Sequence, residues 1–269
     1  MSYDGIRNYN KKIETGKKFI GDYCFDFEGL AKQLYRVTKK GGVVVWNVAD
    51  QTVPGRDGGA TETGNSFRMA LYFQDVGFNI HDTMIYQKSF VRFPDTNRYH
   101  QCFEYMFILS KGKPKTTNLI EDRINKTYNP NKIWAKVVNK RKQDDEFVVG
   151  DSFKYAVGKY GRRYNIWNIG LEQSKGGDTS EWNWHPAIFP SSLAHDHIIS
   201  WSNKGDIVLD PFSGSGTTAI QAKKTGRNFI GIEINKEYVE KSTKRIDNYA
   251  IFDNKIEEED GNVKDFIEF

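Results

Sequence analysis

The sequence of 269 residues is long enough for one large domain or two smaller ones, and its 38% of hydrophobic residues can form a sizeable core. Its two cysteines, Cys24 and Cys102, provide neither a metal-ligand spacing nor a disulfide framework, so no metal site is predicted and a reducing, cytoplasmic location is expected. No apolar run approaches the roughly 18–20 residues that cross a bilayer, which argues against a membrane protein.

The net charge of +4 is distributed unevenly along the chain. Residues 111–180 contain 15 lysines and arginines against 8 aspartates and glutamates, a local balance of +7, so the remainder carries −3. A solvated basic face and a surface for a polyanion are both consistent with such a segment.

Helices and strands alternate in the part of the chain that ends at Ser110. Apolar residues recur at helical spacing from Phe27 to Lys40, and Gly41-Gly42 ends that helix. The pattern then predicts a buried strand, a second helix and two further strands, which are Val43–Val48, Ser66–Val76, Ile80–Tyr86 and Phe103–Ser110. This alternation is typical of an open α/β sheet.

The periodicity fades between residues 111 and 181, where lysines, asparagines and isolated aromatic residues prevail. The α/β pattern then returns and predicts a helix, a strand, a helix, a strand and a last helix, at residues 191–200, 207–210, 217–225, 228–233 and 237–249. The acidic tail that follows residue 252 is expected to be frayed.

A strand, a glycine-rich turn and a helix follow one another in the stretch DIVLDPFSGSGTTAIQA. Its residues 214–219 fit the pattern G-x-G-x-x-A, in which glycines let a ligand approach the backbone and the helix N-terminus offers free N–H groups. A second strand follows this helix and ends at Glu233, where such folds place the carboxylate that binds ribose hydroxyls. The pattern predicts a nucleotide-type ligand; a turn of purely structural role is the alternative.

The residues around the turn favour one class of nucleotide. No Gly-Lys-Ser/Thr follows, which excludes a Walker loop. Asp210, at the end of the first strand, would repel the pyrophosphate of NAD but would suit a ligand with an ammonium group, such as the methionine part of S-adenosylmethionine. Asp210 could also serve only as a turn former before Pro211.

Two segments, DPFSGSGTT and GRNFIGIEINKEYVEKSTKRI, closely resemble the S-adenosylmethionine site of DNA amino-methyltransferases. HPAIFPSSLAHDHIISWSNKGD resembles the segment that precedes this site in the circularly permuted members, in which the catalytic half comes first and the cofactor motif last. LYRVTKKGGVVVWNVAD, GFNIHDTMIYQK and FEYMFILSKGKP are similar to the helix and strands that follow the family's catalytic loop.

The resemblance implies a Rossmann-like methyltransferase sheet, circularly permuted, with a basic target-recognition insert. Residues 1–110 would be the catalytic half, 111–181 the target-recognition region, 182–252 the cofactor-binding half and 253–269 an acidic tail. The implied activity is methyl transfer from S-adenosylmethionine to the amino group of adenine (N6) or cytosine (N4) in double-stranded DNA, in a restriction–modification or phage setting.

The resemblance also implies roles for individual residues. Asp210, Phe212, Gly214 and Gly216 would hold the methionine and adenosine parts of the cofactor, together with Thr217 at the start of the helix. Glu233 would bind the ribose, and His185 and Pro186 would close the other side of the pocket.

The opening MSYDGIRNY resembles the inside of the family's catalytic loop, Asp/Ser/Asn-Pro-Pro-Tyr/Phe. Tyr3 falls on the aromatic position, where it would stack on the flipped base, but Met1 and Ser2 stand where Pro-Pro belongs. We therefore expect both a missing N-terminal piece and low activity of the chain alone. Asp50, after the strand Val43–Val48, is a substitute acceptor for the amino group or, as the more ordinary alternative, a loop cap.

Basic residues point to DNA as the partner. The candidates for phosphate contact are Arg7, Lys140, Arg141, Lys142, Arg162 and Arg163. A restriction endonuclease is a further expected partner. The rival interpretation is a non-catalytic DNA-binding protein that keeps the fold; salt-sensitive DNA affinity without methyl transfer would distinguish it.

Overall fold

The computed structural model describes residues 25–54, 59–89, 98–137, 140–141, 147–148, 152–170, 185 and 189–259. These residues form two compact units. Unit 1 comprises the described residues up to Asn118 and from Asn165 onward, and unit 2 is Leu119–Tyr164. In this described part of the chain, no helix is long and apolar enough to cross a membrane.

Unit 1 contains all five helices that the structure describes. They are α1 (Phe27–Val37), α2 (Asn65–Val76), α3 (Ser191–Trp201), α4 (Thr217–Lys224) and α5 (Lys236–Glu259). Its strands are β1 (Val43–Val48), β2 (Thr52–Pro54), β3 (Ala60–Glu62), β4 (Asn79–Lys88), β5 (Phe103–Ser110), β12 (Ile166–Ile169), β13 (Ile207–Asp210) and β14 (Asn228–Gly231). The strands of unit 2 are β6 (Arg123–Ile124), β7 (Ile133–Val137), β8 (Lys140–Arg141), β9 (Phe147–Val148), β10 (Ser152–Ala156) and β11 (Tyr160–Gly161).

A four-stranded mixed sheet in the order β1-β5-β4-β12 organises unit 1. β5 runs antiparallel to both of its neighbours, whereas β12 runs parallel to β4. Strands β1, β4 and β12 therefore point the same way and end at one edge, called here the carboxyl edge. The opposite edge, where β1 and β4 begin, is called the amino edge. β13 and β14 form a separate parallel pair.

Both faces of the mixed sheet are covered because its strands are apolar on both sides. One face packs Trp46, Val48 and Phe107 against α1 and α2, through residues such as Leu34 and Phe73. The other face packs six buried residues together, and these are Met84, Tyr86, Met106, Ile108, Trp167 and Leu193. The α/β fold that the sequence predicts is confirmed, whereas the permuted order stays a prediction.

Two elements have other bounds than the predicted ones. The described insert is narrower than 111–181, because Ile166–Ile169 pairs with β4 and thus belongs to unit 1. The helix that starts near Glu237 continues to Glu259 instead of fraying after residue 252. Residues 236–259 contain no glycine or proline, so nothing in the backbone chemistry ends the helix earlier.

Candidate functional site

The glycine-rich turn connects β13 to α4 at the carboxyl end of β13. Gly214 and Gly216 have φ values of +49° and +78°, a region that costs a residue with a Cβ about 1–2 kcal/mol. A Cβ at Gly214 would lie 2.8 Å from Nε2 of His185, and one at Gly216 would lie 3.1 Å from Cδ1 of Ile246. Only glycine fits these two positions, so the turn is defined by sequence as well as by backbone.

Glu233 is tied directly to the glycine-rich turn. Its Oε2 accepts a hydrogen bond of 3.0 Å from the amide of Gly214, and its Oε1 accepts one of 2.9 Å from the amide of Asn235. Each carboxylate oxygen has a second lone pair, so the side chain can still accept hydrogen bonds from a ligand. The glycines and the acid that the sequence separates by a helix and a strand are therefore neighbours in space.

Asp210 and Phe212 lie at the same end of β13. Oδ1 of Asp210 accepts a hydrogen bond of 2.9 Å from the amide of Phe212, whereas Oδ2 has no hydrogen-bond partner among the described residues. The Phe212 side chain is 44% exposed, and its ring centroid is 5.6 Å from that of Phe25. A carboxylate oxygen and an aromatic face thus remain available beside the turn.

His185 approaches the turn from a distant part of the sequence. Its ring contacts Tyr238 of α5, with 4.9 Å between the ring centroids. A Cβ added at Gly214 would lie 2.8 Å from Nε2 of His185, so the His185 ring lies close to this glycine. Pro186, which the sequence grouped with His185, lies outside the described residues.

Arg245 is a residue of this site that the sequence pattern did not predict. Its Nη1 donates a hydrogen bond of 2.7 Å to the carbonyl oxygen of Ser215 and lies 3.3 Å from Oγ1 of Thr217. Thr217 is only 3% exposed, so its cofactor-binding role stays a prediction. No local pattern marks Arg245 in the sequence, because its partners lie 30 and 28 residues earlier in the chain.

The carboxylate of Asp50 is buried and hydrogen-bonded within the fold. Its side chain is 6% exposed and accepts hydrogen bonds from the amide of Ser66 (3.1 Å), the hydroxyl of Ser66 and the hydroxyl of Thr63 (2.9 Å). Burial alone would raise the pKa of this carboxyl, but the hydrogen bonds from Ser66 and Thr63 outweigh it and hold the pKa below its usual value. Asp50 therefore caps α2, whose own N-cap residue, Gly64, has no side chain.

A second polar cluster lies towards the carboxyl edge of the mixed sheet and was also not predicted. Glu104 accepts a hydrogen bond of 2.6 Å from the amide group of Asn47 and forms an ion pair of 2.5 Å with Lys88. Burial and the charge of Glu104 raise the pKa of the neighbouring Tyr86 to about 12, which keeps this phenol neutral. Three separate strands contribute these residues, so no local pattern could have revealed the cluster.

The predicted DNA contacts in unit 2 divide into two kinds. Arg163 forms a two-pronged ion pair with Asp122, and this guanidinium lowers the pKa of the carboxyl. Arg162 has a side chain that is 73% exposed and lies 3.7 Å from Glu121. Arg163 is thus held within unit 2 by Asp122, whereas Arg162 stays largely exposed beside Glu121.

Basic and aromatic side chains are paired elsewhere in unit 2. Arg123 lies over the ring of Tyr164 at 4.6 Å, and Lys132 lies over the ring of Trp134 at 3.8 Å. Lys140 and Arg141 form the short strand β8. The remaining predicted residues, Tyr3, Arg7 and Lys142, lie outside the described part of the chain.

Residues 3–244 match the family model of the N6/N4 DNA methylases. The chain belongs to this family. As a member of this family, it is an S-adenosylmethionine-dependent DNA methyltransferase. The orphan methyltransferase M.BamHII of Bacillus amyloliquefaciens is 51% identical over 255 residues, which cover 95% of this chain and 89% of that protein.

Solved structures of methyltransferases share the fold at low sequence identity. The PvuII DNA methyltransferase, described as cytosine-N4-specific, superposes with a TM-score of 0.58 at 18% identity, over 87% of this chain and 81% of its own. The complex of M1.HpyAVI with SAM gives a TM-score of 0.51 at 23% identity, over 82% and 83% of the two chains. These two structures show the fold, whereas the family that the sequence resembles is confirmed by the family model and by M.BamHII.

Proposed function

We propose that this methyltransferase modifies the exocyclic amino group of adenine (N6) or cytosine (N4) at a specific site in duplex DNA, with S-adenosylmethionine held at the carboxyl end of β13. The observation that supports this most is the arrangement around the glycine-rich turn. Glu233 is bonded to the amide of Gly214, while Asp210 keeps one carboxylate oxygen without a partner among the described residues.

The residues present fit the cofactor group by group. The open oxygen of Asp210 would accept a hydrogen bond from the methionine ammonium, and the first amides of α4 would face its carboxylate. Glu233 would accept hydrogen bonds from the ribose hydroxyls through its remaining lone pairs. The exposed ring of Phe212 offers an apolar surface for the adenine.

S-adenosylmethionine supplies a methyl group that is already activated on a sulfonium sulfur. The task left to the protein is to orient the target amino nitrogen and to favour its pyramidal form by accepting hydrogen bonds from it. The target base must also leave the duplex and stack on an aromatic ring, a role for which Tyr3 stays our prediction. Asp50 is unsuited to be an acceptor here, because its oxygens already bind Ser66 and Thr63.

Transfer of labelled methyl groups to DNA tests the proposal. The folded chain is incubated with labelled S-adenosylmethionine and unmethylated genomic DNA, and the nucleosides are separated by mass spectrometry. We expect N6-methyladenine or N4-methylcytosine, and no product from the Glu233→Ala variant. DNA binding with no methylated nucleoside would instead support the non-catalytic rival, and 5-methylcytosine as the product would contradict the proposal.

The biological setting is a further part of the proposal. We infer a restriction–modification or phage role in the cytoplasm, with a restriction endonuclease as the partner to look for. Sequencing of methylated bases in a host that expresses the chain would give the recognition site. Methylation spread without a sequence preference would contradict this setting.

A further inference from the structure

Two lysine-rich loops meet at the amino edge of the mixed sheet. One is Lys39–Gly42, between α1 and β1, and the other is Lys111–Lys115, directly after β5. Val43, which starts β1, lies opposite Ser110, which ends β5. The register therefore brings both loops to the same place, at the end of the sheet away from the carboxyl edge.

Backbone hydrogen bonds fasten the two loops together. The amide of Gly41 donates to the carbonyl of Lys111 (2.7 Å), the amide of Lys111 to Gly42 (3.1 Å), and the amide of Lys115 to Gly41 (3.0 Å). Gly41 has a φ of +84°, and a Cβ there would overlap the side chain of Lys115. Glycine is thus required for the close approach, and the loops present their lysines from an ordered backbone.

A third segment extends the same surface. Asn118 donates from its amide to the carbonyl of Ser200 (2.8 Å), and the side chain of Asn203 donates to the hydroxyl of Thr116 (3.0 Å). These bonds place the residues just before β13, including exposed Lys204, beside the loop that follows β5.

The cationic groups on this surface are not neutralised within the described chain. Lys111 is occupied, because its ammonium donates to the carbonyl of Tyr35 at 2.6 Å. The other five lysines are exposed and form no ion pair with a described residue, and these are Lys39, Lys40, Lys113, Lys115 and Lys204. The carboxylate of Asp206 accepts a hydrogen bond from the amide of Asn203 (2.8 Å). These five residues are called the amino-edge lysine surface.

We propose that the amino-edge lysine surface binds the phosphate backbone of duplex DNA away from the base that is methylated. The inference rests on DNA being the substrate of the proposed function. The five lysines are point charges suited to phosphates, whose negative charge would relieve the repulsion between them. The counterions that DNA releases on binding would favour the complex further. None of the five lies over an aromatic ring of the described chain, so base stacking on single strands is not favoured here.

The distance across the sheet separates this contact from the reacting base. A six-residue strand such as β1 spans about 20 Å from one edge to the other. Phosphates at the amino edge and a base at the carboxyl edge must therefore belong to different stretches of DNA. Such a contact would keep the enzyme bound to long DNA between recognition sites. It would also make this binding sensitive to salt.

The salt dependence of DNA binding tests this proposal. Fluorescence anisotropy with a labelled duplex of about 30 base pairs, about three turns of B-DNA, is measured for the full chain over a salt series. For the variant Lys113→Gln/Lys115→Gln, we expect the slope of log K against log salt to become shallower by about 1.8, which is about 0.9 for each lost phosphate contact. The variant Lys113→Arg/Lys115→Arg should restore the slope.

The matched control is Lys32→Gln/Lys244→Gln, which removes the same charge from exposed positions on α1 and α5. An unchanged slope in the first variant, or an equal change in the control, would overturn the proposal. Stronger binding of the wild type to phosphatidylserine vesicles than to the duplex, lost in the first variant, would assign the surface to a membrane and overturn it as well.

Methyl transfer is recorded in parallel on the same proteins. If the wild type transfers no methyl group but the slope still becomes shallower in the variant, the proposed function fails while the DNA surface stands. If the wild type methylates DNA and the slope is unchanged in the variant, only the present inference fails.

Discussion

Asp50 and Asp210 are the same residue type at similar places, yet the fold uses them differently. Asp210 ends β13, and Asp50 lies just after the end of β1. Asp50 is 6% exposed and accepts three hydrogen bonds from Ser66 and Thr63. Asp210 is partly exposed and accepts one, from the amide of Phe212.

The difference lies in how many donors the surrounding chain supplies. After β1 the chain makes the β2–β3 hairpin and returns to begin α2 beside Asp50, so the helix start turns inward onto the carboxylate. After β13 the chain turns at once through Gly214 and Gly216 into α4, and of the residues described only Phe212 donates a hydrogen bond to Asp210. A carboxylate saturated by its own chain stabilises the fold, whereas one left with a free oxygen can bind a ligand.

The largest effect is expected from removal of the saturated carboxylate. Asp50→Ala leaves the buried amide and hydroxyl of Ser66 without an acceptor, which should lower the free energy of unfolding by about 3 kcal/mol. Urea denaturation measures this, and Asp210→Ala is the matched control, for which we expect less than about 1 kcal/mol. Equal losses in the two variants would show that the comparison is wrong.

The sequence offers Asp210 as a cofactor ligand through the resemblance, and Asp50 only as a substitute acceptor beside a more ordinary capping role; the structure shows Asp50 in the capping role. The bonds of Asp50 reach ahead along the chain to Ser66 at the start of α2, and those of Arg245 reach back from α5 to Ser215. Neither pairing produces a periodic pattern in the sequence. What local chemistry does determine is the turn itself, because the requirement for glycine at positions 214 and 216 is a property of the backbone.

The strands, too, are only partly predictable from the sequence. β1, β5 and β13 have the predicted bounds because each is a mostly apolar run in the sequence. β12 was overlooked because Ile166–Ile169 is short and lies in a polar stretch. Its identity depends on parallel pairing with β4, from which the whole of unit 2 separates it in sequence, and on burial of Trp167 against His197.

The second prediction concerns the turn that keeps Asp210 open. Gly216→Ala should cost about 2 kcal/mol of stability, because the positive φ is strained and the new Cβ would press on Ile246 and Ser242. It should also weaken binding of S-adenosylhomocysteine by at least about tenfold, or about 1.4 kcal/mol, because α5 is pushed from the turn. Isothermal titration calorimetry measures the affinity.

Gly205→Ala is the control for strain alone. Gly205 has a φ of +83°, close to that of Gly216, but a Cβ there would meet nothing within 4 Å. This variant should lose about 1–2 kcal/mol of stability and keep its affinity. A loss of affinity in Gly205→Ala as large as in Gly216→Ala would mean that stability, not the shape of the turn, governs binding.

The third prediction separates binding from folding at Glu233. Glu233→Gln keeps an oxygen for the amide of Gly214 but removes the charge, so affinity for S-adenosylhomocysteine should fall by about 1.5 kcal/mol, or about tenfold. The free energy of unfolding should fall by about 1 kcal/mol, because the side-chain nitrogen of Gln cannot accept the second hydrogen bond, from the amide of Asn235. The control, Glu237→Gln, lies in the first turn of α5 and should leave the affinity unchanged. An unaltered affinity in Glu233→Gln would remove the ribose role from this residue.

The smallest effect is expected from pH, and it distinguishes the two aspartates without deleting either side chain. The hydrogen bonds to Asp50 hold its native pKa below the value of 3.8 found for a free carboxyl. A group with a lowered native pKa stabilises the fold at pH values above its unfolded pKa, and this contribution is lost as the pH falls through the native pKa.

On acidification below about pH 5, the wild type should therefore lose stability faster than Asp50→Asn, in which this position does not titrate. Asp210→Asn is the matched control, in which Asp50 and its hydrogen bonds are retained. Urea midpoints measured from pH 6 down to acid for the three proteins provide the comparison. Parallel curves for Asp50→Asn and the wild type would show that the hydrogen bonds of Asp50 do not favour its ionised form.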